Sequence, residues 1–196
     1  MPFTPRLTAP SASDPRWIQT GSGGYNQCIY GSNGPPSVLP NCTGYVHGRV
    51  MEIRGVNTDD AGLSFNDAVT YWSNSTANWT HQQDPSLGAI VCYYTNNTGD
   101  LHPGHVAVVE QIIDNDTIVV SESNYGGSRW DLLTCYRQYG WRPSSGWNVS
   151  PQGFLKNPYV DDEPPGPGPG EGKAVLLMLL AKYKERNKKH GRIQRI

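Results

Sequence analysis

Two β-branched segments in the middle of the chain constrain its fold most strongly. Residues 105–112 (HVAVVEQI) and 117–124 (TIVVSESN) are separated by the short polar stretch 113–116 (IDND). Runs of β-branched residues favour strands, and the Asp/Asn-rich stretch between them is typical of a turn. The pattern predicts an antiparallel β-hairpin.

The register of this hairpin decides which polar side chains lie together. We expect Ile112 to pair with Thr117 across the turn. That register places His105 opposite Asn124, with Glu122 as a diagonal neighbour on the same face. Either polar side chain would then reach the imidazole, whereas a shift of one residue would move them to the other face.

A second pattern predicts a helix that begins at a cysteine. Asn41 is a favourable N-cap and Gly55 a favourable C-terminal stop. Between them, residues recur at helical spacing: Tyr45, Val46, Arg49, Val50 and Ile53. Cys42 then lies in the first turn, where backbone N–H groups and the helix dipole favour a thiolate and can hold an oxyanion. His47 lies roughly 140° around the helix from Cys42, at about 100° per residue, and is interpreted as a surface residue.

Together these residues form a candidate site for acyl transfer from an amide. Cys42 would attack a carbonyl carbon as the nucleophile. His105 would accept the thiol proton and later protonate the leaving amine, while Glu122 or Asn124 would fix the imidazole tautomer.

At these residues the chain resembles the CHAP domain, the cysteine- and histidine-dependent amidohydrolase/peptidase family common in bacteriophage endolysins and bacterial cell-wall hydrolases. The resemblance extends from about Trp17 to about Tyr159. Its motifs are VLPNCTGY (38–45), GR (48–49), PSLGAI (85–90), GHV (104–106), SESNYGG (121–127) and QGF (152–154).

The resemblance implies a fold, a substrate class and a set of roles. The fold is α+β and papain-like, with N-terminal helices packed on a short antiparallel β-sheet. The substrate is peptidoglycan. The family's nucleophile, base and orienting residues correspond to Cys42, His105, Glu122 and Asn124.

No metal or other cofactor is expected. Some phage members of the family carry an aspartate-rich calcium loop shortly before the cysteine, but residues 29–36 (IYGSNGPP) contain no carboxylate. A zinc site built on His102, His105 and a cysteine is a weaker alternative. The proline and glycine between the two histidines break any helix that would align them, and no HExxH motif is present.

The first residues lack the apolar segment of a secretory signal. We therefore expect synthesis in a reducing host cytoplasm, where the four cysteines need not form disulfides. The protein would reach the cell wall when it is released at lysis or carried on a phage particle. Cys92, within the apolar run 89–94, is interpreted as a buried strand residue.

The composition predicts one domain with appended segments, since 36% hydrophobic residues in a chain of 196 suffice for one core. The segments are a flexible N-terminal arm (1–16), the catalytic domain (17–160), a Pro/Gly linker (161–172) and a basic, partly apolar helical tail (173–196). Within the domain we predict a second helix over residues 64–74 and a strand over residues 88–94.

The tail differs sharply in charge from the rest of the chain. Residues 173–196 carry +7 and residues 1–172 carry −8, which leaves an overall charge of −1. The apolar run 174–181 is far shorter than the ~20 residues that span a bilayer. The open interpretations are attachment to an anionic membrane or wall polymer, docking on a phage virion protein, packing on the catalytic domain or another copy, or a disordered remnant. No nucleic-acid partner is expected.

The sequence therefore predicts a peptidoglycan hydrolase that uses a cysteine nucleophile, either as an N-acetylmuramoyl-L-alanine amidase or as a peptidoglycan endopeptidase. The alternatives are a non-catalytic phage structural or wall-binding component and, more weakly supported, a zinc-dependent amidase.

Overall fold

The computed structural model describes residues 3–10, 16, 41–64, 66–76, 78–95, 104–123 and 130–161. Its helical elements are α1 (Cys42–Arg54), a 3₁₀ turn (Ala68–Thr70), α2 (Tyr71–Asn74) and a second 3₁₀ turn (Arg137–Tyr139). Its strands are β1 (Thr80–Gln82), β2 (Ile90–Thr95), β3 (His105–Asp114), β4 (Thr117–Ser123), β5 (Trp130–Tyr136) and β6 (Val149–Lys156). Within these described ranges, no helix has the length and apolar character needed to cross a bilayer.

The strands form one six-stranded sheet in the order β1-β6-β2-β3-β4-β5. All neighbouring strands are antiparallel. The α+β class expected from the sequence is confirmed. The sheet is larger than the short one expected, because β1 and β6 extend it beyond β2 on the side away from the β3–β4 hairpin.

Both faces of the central strands are buried. Val46 and Val50 of α1 pack on one face, against a cluster that includes Ile90, Val106 and Val108. The other face is covered by a second cluster, whose members include Val91, Tyr93, Ala107, Val109, Trp141 and Phe154. Strands buried on both sides have near-continuous apolar sequences, which explains the unbroken apolar run of β2. Cys92 of β2 is buried, as predicted.

The predicted boundaries of α1 are confirmed. The Asn41 side chain accepts a hydrogen bond from the Gly44 backbone N–H at 2.9 Å, and Gly55 ends the helix in the left-handed region at φ 67°. The helix is nevertheless buried on nearly all sides between Thr43 and Met51 rather than along one stripe.

The expectation that His47 lies on the surface is wrong, because its side chain is fully buried. The chain that follows α1 covers that side of the helix. There the His47 Nδ1 lies 2.9 Å from an Asp59 carboxylate oxygen, and its Nε2 lies 3.0 Å from the Ser64 carbonyl oxygen. His47 therefore fastens the segment after α1 to the helix.

The predicted helix over residues 64–74 is shorter than expected. Asp67 has an extended backbone (ψ 151°), which prevents a helix from running through from Ser64. Only the second half is helical, as the 3₁₀ turn and α2. The Ser64 hydroxyl instead bonds the Thr70 hydroxyl at 2.9 Å and so links the two ends of the segment.

The β3–β4 hairpin is present, but its turn is tighter than expected. Ile112 pairs with Ile118, so the predicted pairing with Thr117 is wrong. Thr117 pairs with Asp114, whose carboxylate accepts a hydrogen bond from the Asp116 backbone N–H at 2.9 Å. This side-chain bond stabilises the two-residue turn and lengthens β3.

A buried ion pair joins α1 to the sheet. Arg49 donates to both carboxylate oxygens of Glu110 at 2.9 and 2.8 Å, and the Ser121 hydroxyl donates to the same carboxylate at 2.6 Å. Residues 3–10, which belong to the predicted N-terminal arm, lie against this pair. The Arg6 backbone N–H donates to Glu110 at 2.8 Å, and Arg49 donates to the Thr4 carbonyl oxygen at 2.7 Å.

Candidate active site

Cys42 is the first residue of α1 and is partly buried. The Asn41 carboxamide oxygen accepts from the Gly44 N–H at 2.9 Å and from the Thr43 hydroxyl at 2.8 Å, which fixes the start of the helix. Because the first N–H groups of a helix have no acceptor within it, the sulfur lies in a region of positive potential.

His105 is the first residue of β3, directly after a glycine with a left-handed backbone. Gly104 has φ 74°, and a Cβ there would lie 2.6 Å from the Tyr93 carbonyl oxygen and 2.7 Å from the Val69 nitrogen. Only glycine fits this close approach. Gly104 therefore allows β3 to begin at His105 despite the close backbone approach.

The His105 imidazole lies between two acidic groups. Its Nε2 is hydrogen-bonded to the Glu122 carboxylate, and the imidazole also makes a side-chain hydrogen bond to Cys42. Since Glu122 uses Nε2, Nδ1 is the nitrogen left for the sulfur. The His105 and Glu122 side chains are 12% and 2% exposed, so little water competes for their bond.

The charge state of His105 follows from these neighbours. Burial alone would lower the pKa of the imidazole, but the charge and hydrogen bond of Cys42, followed by those of Glu122, outweigh burial and raise the pKa of His105 from 6.5 to about 10. His105 is therefore an imidazolium at neutral pH.

Two aromatic rings also lie against the imidazole. The Tyr93 ring is stacked on it at 6.1 Å, and the Trp147 ring meets it nearly at right angles at 5.6 Å. Neither residue belongs to the site predicted from the sequence. Tyr93 could have been found from the strand register, because it pairs with His105. Trp147 gives no such signal, since it lies in the loop before β6.

Three of the four predicted site residues meet in the structure: Cys42, His105 and Glu122. Asn124 lies outside the described residues. The expected register holds next to the site, where Val108 pairs with Ser121, because irregularities in β3 absorb the extra residues near the turn.

The described residues can be searched for a metal site. In the described part of the chain, no group of three or more His, Cys, Asp or Glu side chains is arranged to hold a metal ion. His102 of the zinc alternative and the segment 29–36 of the calcium argument lie outside the described residues.

Two known proteins are similar to about half of the chain. The chain is 32% identical over 99 residues to a Staphylococcus aureus (strain NCTC 8325 / PS 47) protein that contains an N-acetylmuramoyl-L-alanine amidase domain; the match covers 49% of this chain and 15% of that relative. A crystal structure of N-acetylmuramoyl-L-alanine amidase from Staphylococcus aureus matches with 26% identity and a TM-score of 0.38, over 53% of this chain and 31% of that one. The chain thus spans only a small part of either relative.

The family model for the CHAP domain matches residues 21–124, more than half of the chain. The match includes the helix start at Cys42 and the strand start at His105. The chain belongs to the CHAP domain family.

Proposed function

We propose that this protein is a peptidoglycan hydrolase that cleaves an amide bond with Cys42 as nucleophile, His105 as acid and base, and Glu122 as the group that orients His105. The observation that carries the proposal is the position of His105, whose Nε2 is hydrogen-bonded to Glu122 and whose imidazole also interacts with Cys42. Family membership and the similarity to an amidase domain supply the substrate class.

The acylation half-reaction uses the charge pair directly. The Cys42 thiolate attacks the amide carbonyl carbon, and the carbonyl oxygen becomes an oxyanion near the N–H groups of the first turn of α1. The His105 imidazolium then donates its Nδ1 proton to the amide nitrogen, and the C–N bond breaks. An amine leaves, and the acyl group remains on sulfur as a thioester.

The deacylation half-reaction returns the site to its first state. Neutral His105 takes a proton from water, whose oxygen attacks the thioester carbonyl carbon. The C–S bond breaks, releasing a carboxylic acid and regenerating the Cys42 thiolate. Glu122 keeps its hydrogen bond to Nε2 throughout, so that Nδ1 stays directed at the reaction.

Loss of wall material tests the catalytic proposal. We expect Cys42→Ala and Cys42→Ser to abolish the fall in turbidity of a suspension of purified sacculi, and a thiol alkylator to abolish it in the parent protein. Cys92→Ala is the matched control, because burial raises the pKa of the Cys92 thiol far above its usual range and makes it inert. Full activity of Cys42→Ala would refute the proposal.

A chelator separates the thiol mechanism from the zinc alternative. Inhibition by the chelator, with no effect of alkylation, would favour a zinc-dependent amidase. Binding to sacculi without any release of fragments would favour a non-catalytic wall-binding or phage structural component.

The bond that is cut distinguishes the two forms of the proposal. An amidase would release fragments with a new amino terminus on L-Ala, whereas an endopeptidase would create one within the stem or the cross-bridge. Mass spectrometry of fragments from purified sacculi identifies the new terminus. We propose the amidase activity first, since the similar staphylococcal protein contains an N-acetylmuramoyl-L-alanine amidase domain.

We further propose a phage origin, with the enzyme acting at lysis or on a virion, and attachment of the basic tail 173–196 to an anionic membrane or wall polymer. Residues 162–196 lie outside the described residues, so the positive charge of the tail is the support for its attachment. Deleting residues 161–196 should reduce cosedimentation with isolated walls. Unchanged cosedimentation would leave protein docking as the better interpretation.

A further inference from the structure

We propose that Trp147 is a positioning residue for His105: its ring fixes the imidazole and shields the His105–Glu122 pair from water. The proposal rests on the catalytic function proposed for His105. Trp147 lies in the loop of residues 140–148, between the second 3₁₀ turn and β6. No motif predicted from the sequence includes this loop.

The first observation is a cluster of three rings. The Trp147 ring centroid lies 5.6 Å from that of His105 at an interplanar angle of 82°, and 5.7 Å from that of Tyr93 at 89°. The rings of Tyr93 and His105 are 6.1 Å apart and nearly parallel, at 27°. Each ring therefore lies against the other two, and both aromatic side chains restrict the imidazole.

The second observation is that the loop backbone is held in place. Arg142 donates through Nη1 to the Trp147 carbonyl oxygen at 2.9 Å and to the Val149 carbonyl oxygen at 2.6 Å. A guanidinium that bonds both ends of a short segment restrains the residues between them. Arg142 therefore fixes the backbone that carries the Trp147 ring.

The third observation is local strain at the start of the loop. Trp141 has φ 58°, a left-handed backbone that costs a non-glycine residue on the order of 1–3 kcal/mol. The Tyr93 hydroxyl donates to the Trp141 carbonyl oxygen at 2.5 Å, and the Trp141 ring packs against Phe154. Tyr93 thus contacts His105 with its ring and holds the strained turn with its hydroxyl.

Among the described residues, four groups face His105. They are Cys42 from α1, Glu122 from β4, Tyr93 from β2 and Trp147 from the loop. Trp147 is uncharged, so it acts through its π system beside the cation and by excluding water. Excluding water strengthens the attraction between His105 and Glu122, which outweighs the cost of burying the imidazolium. Removing its ring should weaken the preference of His105 for the protonated form.

The experiment compares Trp147→Leu with Trp147→Phe in the full chain. The His105 titration is followed by NMR, with its resonance assigned by its loss in His105→Gln, and kcat and KM are measured on sacculi. We expect Trp147→Leu to lower the pKa of His105 by about 1 unit and kcat about tenfold, with little change in KM. Trp147→Phe, which keeps an aromatic ring, should retain most of the parental pKa of His105 and most of the parental kcat.

Trp72→Leu is the matched control. Trp72 also contacts a histidine, His81, with ring centroids 4.1 Å apart. It should leave the His105 titration unchanged. If Trp147→Leu fails to fold, Arg142→Lys provides the second variant, because a lysine cannot reproduce both bonds to the loop and should lower the pKa of His105 in the same direction.

A folded Trp147→Leu protein with an unchanged His105 titration would overturn the proposal. So would a change in KM alone, which would make Trp147 a substrate contact. The NMR titration needs no substrate. A parent protein that releases no wall fragments would therefore refute the proposed function while the titration still decides the role of Trp147.

Discussion

Replacing Glu122 by glutamine tests how the site controls its charge. The pKa of His105 is raised from 6.5 to about 10, and a difference of roughly 3.5 units corresponds to about 5 kcal/mol in favour of the imidazolium. Cys42 and Glu122 share this effect. Glutamine keeps the shape and a hydrogen-bonding oxygen but removes one of the two negative charges. An opposite charge at close range raises an imidazole pKa by about 1–3 units. We therefore expect Glu122→Gln to lower the pKa of His105 by on the order of 1–2 units.

The direction of the pH effect follows from the role of His105. In the proposed mechanism the imidazolium protonates the leaving amine, so activity should fall as pH rises through the pKa of His105. We expect the alkaline limb of kcat/KM near pH 10 in the parent and near pH 8–9 in Glu122→Gln. The assay is the rate of release of wall fragments between pH 6 and pH 11, paired with an NMR titration of His105.

Asp116→Asn is the control for loss of one negative charge on the same hairpin. The Asp116 side chain is 76% exposed and lies in the turn, at the opposite end of β4 from Glu122. It should leave the alkaline limb in place. A folded Glu122→Gln protein with the parental alkaline limb and the parental His105 titration would refute the assignment of Glu122 as the group that stabilises the imidazolium.

Three further predictions concern the framework of the site. Gly104→Ala should reduce activity at least tenfold, because its Cβ would clash with backbone atoms beside His105, the proposed acid and base. Gly55→Ala, at a similar φ but with open space, should cost only about 1 kcal/mol in a denaturant melt and keep activity. Arg49→Met should lower the free energy of unfolding by about 3–5 kcal/mol, because it leaves the buried Glu110 carboxylate without its counter-charge. Arg137→Gln removes only an exposed ion pair and should lower it by less than about 1 kcal/mol. Asn41→Ala should cost about 1 kcal/mol and slow alkylation of the nucleophile, measured by peptide mass spectrometry, because the helix start loses its cap. Equal effects within either matched pair, or an unchanged alkylation rate, would contradict these assignments.

Local chemistry explains why parts of the fold were predictable. Asn41 and Gly55 act through their own side chain or lack of one, so the ends of α1 could be read from neighbouring residues. The β3–β4 hairpin was predictable for the same reason. Its exact turn was not, because the pairing at Ile112 depends on irregularities in β3 that no local pattern encodes.

Burial of polar residues was the main source of error. The position of His47 on the helix suggested solvent, but Asp59 and Ser64 lie against it once the chain after α1 folds back. The Arg49–Glu110 pair was also missed, since its partners are far apart in sequence and are joined only by the packing of α1 on β3.

The sequence by itself determined the elements that carry the site: a capped helix beginning at Cys42 and a hairpin whose strands present His105 and Glu122. These follow from capping, turn chemistry and runs of β-branched residues, which act over a few residues. Only the tertiary structure decided that the imidazole bonds both Cys42 and Glu122, that its pKa is raised, and that Trp147 covers it. Those properties depend on distances between separate elements and on the exclusion of water, which exist only after the helix and the loop have packed on the sheet.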